Sequence, residues 1–503
     1  MNARFIAVLE IGSSKVKGAV ARTDSDGGAT LVAMHEVKTI NCVRHGRVQN
    51  VQEVAARVEE VLRRLENDPA VAPRKIKRLR IAFGGRSLTS VHSEADAKLP
   101  AEVEITDEII ERLKRDAVFG LPADRHCVDV LPRSFNVDGA EVASNVVGMF
   151  GRNIHAAMTV ILAAPDNRTA LERVRLGAEG SQIERVYIPR QLAIARMALT
   201  PSEQQLGCAL VDFGAETTTL SIHRDGVLHT LVTLPMGGRN ITRDLAAGLS
   251  ITEEQAEYIK TAQAAAIPDP QADTAGEAKE INSYSQARAG EIIANIVHRI
   301  EQAGFKTSEL TAGIVLTGRA SRMRRMPELF ETQTKMKVRI APADNSVRPG
   351  NTEADPVDSL DVMALAAWPL PQAQGSDLTE IPARDEEDPH ATITVDTREI
   401  DEYSGYDPRR AAAAARARRE RDIDEDNVLA DDPDDDDNDD NDRSRTRDKK
   451  RKQRRPAEET TDDIDEDESY EEEHASRFGG MRRFISRIGR GFIGTTGPED
   501  IDE

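Results

Sequence analysis

A chain of 503 residues with 39% hydrophobic content has the length for two or more domains and enough apolar material for substantial cores. Its formal charge of −21 is concentrated: residues 376–475 carry 37 acidic against 17 basic side chains, so the acidic character belongs to a solvated segment and the remainder is nearly neutral. Three cysteines, Cys42, Cys127 and Cys208, make neither a CxxC pair nor a plausible metal set, which fits a reducing, cytosolic compartment.

From residue 5 to about 370, strand-like runs alternate with helical periodicity, which predicts layers of α/β structure. The apolar run 5–9 is too short for a signal-peptide core, and no stretch approaches the roughly 20 apolar residues of a spanning helix; the body is expected to be soluble and not exported. Residues 6–9 form a β run that ends at Glu10 and Gly12. Residues 31–33 are expected to pair with 16–20 across a turn at Asp26, Gly27 and Gly28, and Val54, Val58, Val61 and Leu65 mark one helix face. After the strand-like 79–83, the turn at Gly84 and Gly85 opens a stretch of different character, read as an inserted small α/β subdomain over 84–164. Inside it, a helix from about Asp107, capped by Thr106, carries Ile109, Ile110, Leu113 and Val118, and strands are expected at 128–131 and 156–164.

A second β run, 208–211, precedes Asp212 and Gly214, and a third, 314–317, precedes Gly318. Between them lies a helix-rich stretch from Ile241 to Phe305. Its last helix bears Ile292, Ile293, Ile296, Val297 and Ile300, with a loose surface loop expected at 268–279. Each β run leads directly into a glycine turn, where backbone N–H groups can face phosphate oxygens. Glu10 and Asp212 stand at matching offsets before their turns, and carboxylates near a triphosphate position Mg2+, usually through water. No Walker lysine motif is present, which favours a nucleotide held between two halves that each supply a hairpin. The hydroxyls of Ser13, Ser14, Thr217 and Thr218 either donate to phosphate or satisfy neighbouring backbone.

Beyond about residue 373 the composition turns to Asp, Glu and Arg and predicts a disordered linker. About 100 such residues span on the order of 50–60 Å by the square-root rule. The basic block 449–455 lacks interleaved aromatics and stands between acidic blocks, so a solvated linker is favoured over nucleic-acid binding. Then Phe478, Met481, Phe484, Ile485, Ile488 and Phe492 recur at helical spacing, with Arg477, Arg482, Arg483, Arg487 and Arg490 supplying positive charge. Such a segment suits the interface of an anionic membrane; docking on a protein is the alternative. Gly479, Gly480, Gly489 and Gly491 lower its intrinsic helicity, so the helix is expected to form on binding.

The ordered set LEIGSSKVKG, the inserted region, LVDFGAETTTLSIHRDG, LPMGGRNIT, QAEYIK and GIVLTG resembles the actin-like ATPases over about residues 4–370. Within them it is similar to the FtsA family of bacterial cell division, as is the tail. The resemblance implies an actin-like two-lobed ATPase fold with an inserted subdomain: a first lobe from 1–83, 165–192 and 346–372, the insertion at 84–164, and a second lobe at 193–345 with a helical subdomain at about 239–308. A linker at 373–475, an amphipathic membrane-targeting helix at 476–494 and an acidic tail at 495–503 complete it.

The resemblance further implies ATP with Mg2+ as ligands. Gly12, Ser13, Ser14 and Lys15 would form the first phosphate loop and Gly214, Ala215, Glu216, Thr217 and Thr218 the second. Gly237 and Gly238 follow in LPMGGRNIT; Ala256, Glu257 and Lys260 match a ribose and adenine pattern; Gly318, Arg319 and Ala320 would form the adenosine loop. Glu10 and Asp212 would serve the metal through water. By the same resemblance the partners are FtsZ, later division proteins, anionic membrane lipids and further copies of the chain in protofilaments, with no nucleic acid.

Five positions depart from the family's usual residues. Glu10 stands where aspartate is usual; Ala215 and Glu216 stand where glycines are usual, Glu216 bringing a carboxylate near the phosphates that a metal ion would have to offset; and Arg319 and Ala320 stand where glycines are frequent, Arg319 either stacking on adenine or obstructing it. Binding of a nucleotide is therefore expected more firmly than its hydrolysis, and no residue is assigned as catalytic. Without the resemblance, Glu257 and Lys260, three apart on a helix, read equally well as a surface ion pair. Rival functions are a non-hydrolysing scaffold, a sugar kinase or polyphosphatase of the same superfamily, and a pilus-assembly relative.

Overall fold

The computed structural model describes residues 4–380 other than 24–27, 123, 143–144, 178–181, 269–275, 342–346, 349, 351–357 and 371–374. The amphipathic segment 476–494, the acidic tail 495–503 and the linker beyond residue 380 lie outside the described residues, as does most of the expected turn at 26–28. The start of the linker needs correction, because the folded part runs on to Glu380. Asp377 is 1% exposed and its carboxylate accepts from the Ala7 amide and from Arg80 Nε, each at 3.3 Å. Leu378–Glu380 then pairs antiparallel with Arg74–Ile76.

Two sheets repeat one design. In the first, Phe5–Ile11, Lys15–Thr23 and Ala29–Lys38 form an antiparallel meander, and Arg78–Phe83 and Glu184–Pro189 continue it in parallel from the Phe5–Ile11 side. In the second, Cys208–Phe213, Thr218–Arg224 and Val227–Leu234 form the meander, and Gly313–Thr317 and Val338–Ile340 are the parallel extension. Central strands buried on both faces read as continuous apolar runs rather than alternating ones. Ala7, Val8 and Leu9, and likewise Ala209, Leu210 and Val211, are each fully buried. The expected hairpin is present but shifted in register: Val20 lies opposite Ala33 and Ala21 opposite Leu31, while Val16 to Ala19 pair with Val37 to Met34.

Helix Val51–Asn67 covers the first sheet with the expected face: Val54, Val58, Val61 and Leu65 are buried, and Asn50 caps it by accepting from the Gln52 and Glu53 amides. On the second sheet, Gly276–Gln302 buries Ile292, Ile293, Ile296 and Ile300 with Ile241 and Leu245 of Gly238–Leu249. The first helix of that pair claims Gly276 to Lys279 from the expected surface loop, because its amphipathic pattern begins earlier than the last isoleucine stripe suggests. Short helices Arg190–Ala198 and Leu360–Ala367 pack into one core that takes side chains from both sheets, Val8 and Ile188 from the first, Leu210 and Val315 from the second.

The insertion leaves the first sheet after Arg78–Phe83, yet its own strands belong to the second. Thr89–Glu104, Phe150–Ala163 and His126–Val137 pair antiparallel, and Thr89 bridges Val232 at the edge of the second sheet. Around that bridge the Leu231 amide donates to Ser90 Oγ at 2.8 Å and the Thr159 hydroxyl donates to the Leu228 carbonyl at 2.9 Å. The helix expected from Asp107 spans Asp107–Val118 and buries Ile110 and Leu113; Thr106 precedes it, but its side chain makes no capping bond. Both strands are longer than the apolar runs alone suggest, since their outer ends alternate polar and buried positions. Among the described residues no helix is long and apolar enough to cross a membrane.

Candidate nucleotide site

The repeated hairpins place equivalent residues at equivalent points. Phe5–Ile11 and Cys208–Phe213 each end in a tight turn in which the glycine amide bonds back to the residue three along, Gly12 N–H to the Lys15 carbonyl at 3.0 Å and Gly214 N–H to the Thr217 carbonyl at 2.9 Å. Glu10 and Asp212 therefore sit two residues before matching turns, one on each lobe.

Between them stands Arg190, the first residue of helix Arg190–Ala198. Its guanidinium is ion-paired through NH1 to Asp212 Oδ2, and its Nε lies 3.6 Å from Glu10 Oε1. Burial works against the charge on Arg190, but Asp212, Glu10 and Asp361 outweigh it and push its value up. Burial likewise pushes the Glu10 carboxyl up to about 7, Arg190 opposing and Asp361 adding to it. Asp361 is held below the ordinary carboxylate value despite burial, chiefly by Lys17, whose Nζ is 2.8 Å from it.

In this arrangement the two carboxylates expected to serve the metal face the Arg190 guanidinium. A guanidinium already takes the place between the two carboxylates, so as they stand they fit an internal ion pair rather than a divalent cation. Among the described residues no group of three or more His, Cys, Asp or Glu side chains is arranged to hold a metal.

Glu216 is 3% exposed, and its charge is answered by protein groups. Arg239 pairs with it at 2.8 Å, Arg243 lies at 3.8 Å, and the His45 amide donates to its Oε2 at 2.7 Å. Arg239 also donates to the Ser13 carbonyl at 3.2 Å, while Ser13 Oγ accepts from the Gly46 amide at 2.8 Å. The two turns are thus stitched together across the lobes.

Other expected residues gather at the second turn. Gly237 and Gly238 press against it: the Gly238 amide donates to the Gly214 carbonyl at 2.9 Å and the Arg239 amide to the Ala215 carbonyl at 2.7 Å. A Cβ on Gly237 would stand 2.6 Å from the Ala215 carbonyl oxygen. Lys260 Nζ lies 2.6 Å from Glu257, 2.8 Å from the Thr242 hydroxyl and 3.1 Å from the Gly238 carbonyl. Burial resists the charge on Glu257, but Lys260 and Thr242 hold its carboxyl below the usual range. Gly318 packs on the strand end of the second hairpin, and Ala320 faces Gly238, whose Cβ would stand 2.9 Å from the alanine methyl.

Three of the expected residues are engaged within the protein. The Thr218 hydroxyl is fully buried and donates to the Met236 carbonyl at 2.8 Å, so it holds the hairpin rather than facing a ligand. Arg319 pairs with Asp358 at 3.1 Å, with 63% of its side chain exposed. Lys15 is ion-paired with Glu36. Gln191 is 2% exposed and donates to Ser221 Oγ at 3.3 Å. Sequence reasoning missed Arg190, Arg239, Lys17 and Asp361. The available signal was weak: Arg190 is a charged residue at the junction of a β run and an apolar helix, the same kind of place as Glu10 and Asp212.

The raised value of Glu10 gives a pH-dependent expectation. A carboxyl lifted from 4.5 to about 7 on folding favours the fold below 4.5 and penalises it as pH climbs through 7, by at most about 3 kcal/mol. Glu10→Gln should match the parent in urea unfolding at pH 4 and exceed it at pH 8. A variant less stable than the parent at pH 8 would contradict the assignment.

Comparison with known proteins agrees with this architecture. The family description "Cell division protein FtsA" matches residues 209–359, and that of the SHS2 domain inserted in FtsA matches residues 85–162. Cell division protein FtsA of Porphyromonas gingivalis is 30% identical over 355 residues, 66% of this chain and 72% of that protein. The protein of the same name from Neisseria meningitidis serogroup B is 26% identical over 352 residues, 67% and 83% of the two chains. Among solved structures, a chain of the PilM–PilN type IV pilus biogenesis complex superposes with a TM-score of 0.52 at 15% identity, over 72% of this chain and 97% of that one, which is a likeness of fold alone. With its two repeated hairpin lobes, its inserted subdomain and these relatives, the chain belongs to the FtsA family of cell division proteins, within the actin-like ATPase superfamily.

Proposed function

We propose that the chain is an actin-like ATP-binding protein held peripherally on the inner face of the plasma membrane at the division site, where it tethers FtsZ polymers and recruits later division proteins. The observation that carries the nucleotide part is the meeting of two like glycine turns, at 12–15 and 214–217, beside the Arg190 and Arg239 guanidinium groups, with Gly318 packed on the strand end of the second hairpin. Turns of this kind expose backbone N–H groups suited to phosphate oxygens. Among the described residues no side chain stands as a clear catalytic base, and slow or absent turnover goes with this reading.

The membrane part rests on the sequence of residues 476–494, whose apolar stripe and five arginines suit an anionic surface. Repeated head-to-tail contacts that do not close generate protofilaments, and a filament presents many tails at once, so individually weak anchors add by avidity. Co-sedimentation with anionic vesicles, with and without ATP, tests anchor and assembly together. Intact protein should pellet, more so with ATP, and protein lacking residues 476–503 should stay in the supernatant. A truncated protein that pellets as well as the intact one would overturn the anchor.

A further inference from the structure

We propose that Arg190 is the resident counter-cation of the nucleotide site, so that this chain takes up a nucleoside di- or triphosphate without needing a divalent metal. The inference rests on the nucleotide reading above and deepens it.

Three observations support it. First, the guanidinium lies between the very carboxylates that a metal would use, paired with Asp212 Oδ2 and 3.6 Å from Glu10 Oε1. The Asp212 side chain is 4% exposed and that of Glu10 13%; Asp212 Oδ2 is taken by the guanidinium, while its Oδ1 is buried without a hydrogen-bond partner. Magnesium dehydrates reluctantly and demands near-octahedral oxygen geometry, to which one remaining carboxylate oxygen beside a planar cation is poorly suited.

Second, Arg190 is hard to displace. Its backbone begins a helix whose Leu192, Ala193, Ile194, Ala195, Met197 and Ala198 are buried, in large part in the core shared by the two lobes. Withdrawing the side chain would leave Glu10, Asp212 and the nearby Asp361 facing one another, and an uncompensated buried charge is strongly unfavourable.

Third, 23% of the Arg190 side chain remains exposed. A guanidinium has five donors in a fixed fork and binds carboxylate and phosphate alike, so its remaining edge can meet a phosphate while the rest stays paired. The other cations near the turns are committed, Arg239 to Glu216 and Ser13, Lys15 to Glu36 and Lys17 to Asp361. Arg190 acts here as a positioning residue, neutralising the carboxylates and orienting phosphate.

The test is titration calorimetry of the full chain with ADP and with ATP, in magnesium and in EDTA. The expected result is a Kd that differs by less than about threefold between the two buffers; tighter binding in magnesium by about tenfold or more overturns the proposal. Arg190→Gln should bind about tenfold or more weakly in EDTA and regain affinity when magnesium is added, because bare carboxylates then need the ion. Metal-independent binding by that variant would also overturn it. Should Arg190→Gln lose its cooperative melt, Arg190→Lys keeps the charge and should stay metal-independent; dependence on magnesium there counts against the proposal only if its melt matches the parent's, and the parent's own titration decides in every case. No heat of binding in either buffer removes the nucleotide reading and this inference with it, whereas binding only in magnesium removes this inference alone.

Discussion

Gly318→Ala is expected to weaken nucleotide binding by at least about tenfold and to cost the fold about 2–4 kcal/mol. Gly318 has φ +82°, a conformation that disfavours any side chain. A Cβ there would also stand 2.4 Å from the Phe213 carbonyl oxygen and 2.9 Å from Asp212 Oδ1. Neither neighbour can yield easily. Phe213 is fully buried, edge-on to Phe330 with ring centroids 6.5 Å apart, and Asp212 is held by Arg190. The strain therefore goes into the strand end and the turn at 214–217. Gly139→Ala is the control: its φ is +93° but no atom lies within 4 Å, so only the backbone term of about 1 kcal/mol applies. Urea unfolding and calorimetry of the two variants side by side check both numbers, and equal losses at the two positions would show that packing on Asp212 is irrelevant.

Lys17→Met should destabilise the protein by about 3–5 kcal/mol at neutral pH. Lys17 is 4% exposed and supplies the charge that keeps the buried Asp361 ionised. Without it, burial pushes that carboxyl up, and the fold must either hold an unpaired anion or take up a proton. Asp361 lies below its ordinary 3.8 in the parent, so the parent's benefit is present above that pH and is lost as pH falls below it. The gap between parent and variant should therefore be widest near pH 7 and close on acidification. Lys17→Met combined with Asp361→Leu should recover most of the loss, because removing both charges is far milder than stranding one. A double variant as unstable as the single one would mean that the ion pair is not the cause.

The parts of this site that sequence reveals are those written within a few residues of each other. A β run, a carboxylate and a glycine in fixed order suffice to mark 6–12 and 208–214, and the helix stripe at Val54, Val58, Val61 and Leu65 needs only its own spacing. What decides the chemistry is written across the chain. Arg190 meets Glu10 from 180 positions away, and Glu216 meets the His45 amide from 171. Such contacts depend on how parallel strands are ordered in a sheet, which local pattern does not encode. The same holds for Asp377: its surroundings in the sequence are polar and disorder-like, and only Arg80 and the Ala7 amide, far away in the chain, make it a buried residue. The insertion shows the limit in another form, since a single bridge between Thr89 and Val232 sets its allegiance and leaves no mark on composition or periodicity.

That bridge bears on mechanics. The subdomain is spliced into the first half by covalent bonds but moored to the second by the Thr89 bridge, the Ser90 and Thr159 hydroxyls and the Leu228–Leu231 packing. Its entry point, Gly84 and Gly85, includes a residue at φ +110°, so the link is tightly bent there. Both attachments lie at the root of the subdomain, where Thr89 also pairs with Leu162, so a change in the angle between the halves falls on the short span from Gly85 to Thr89.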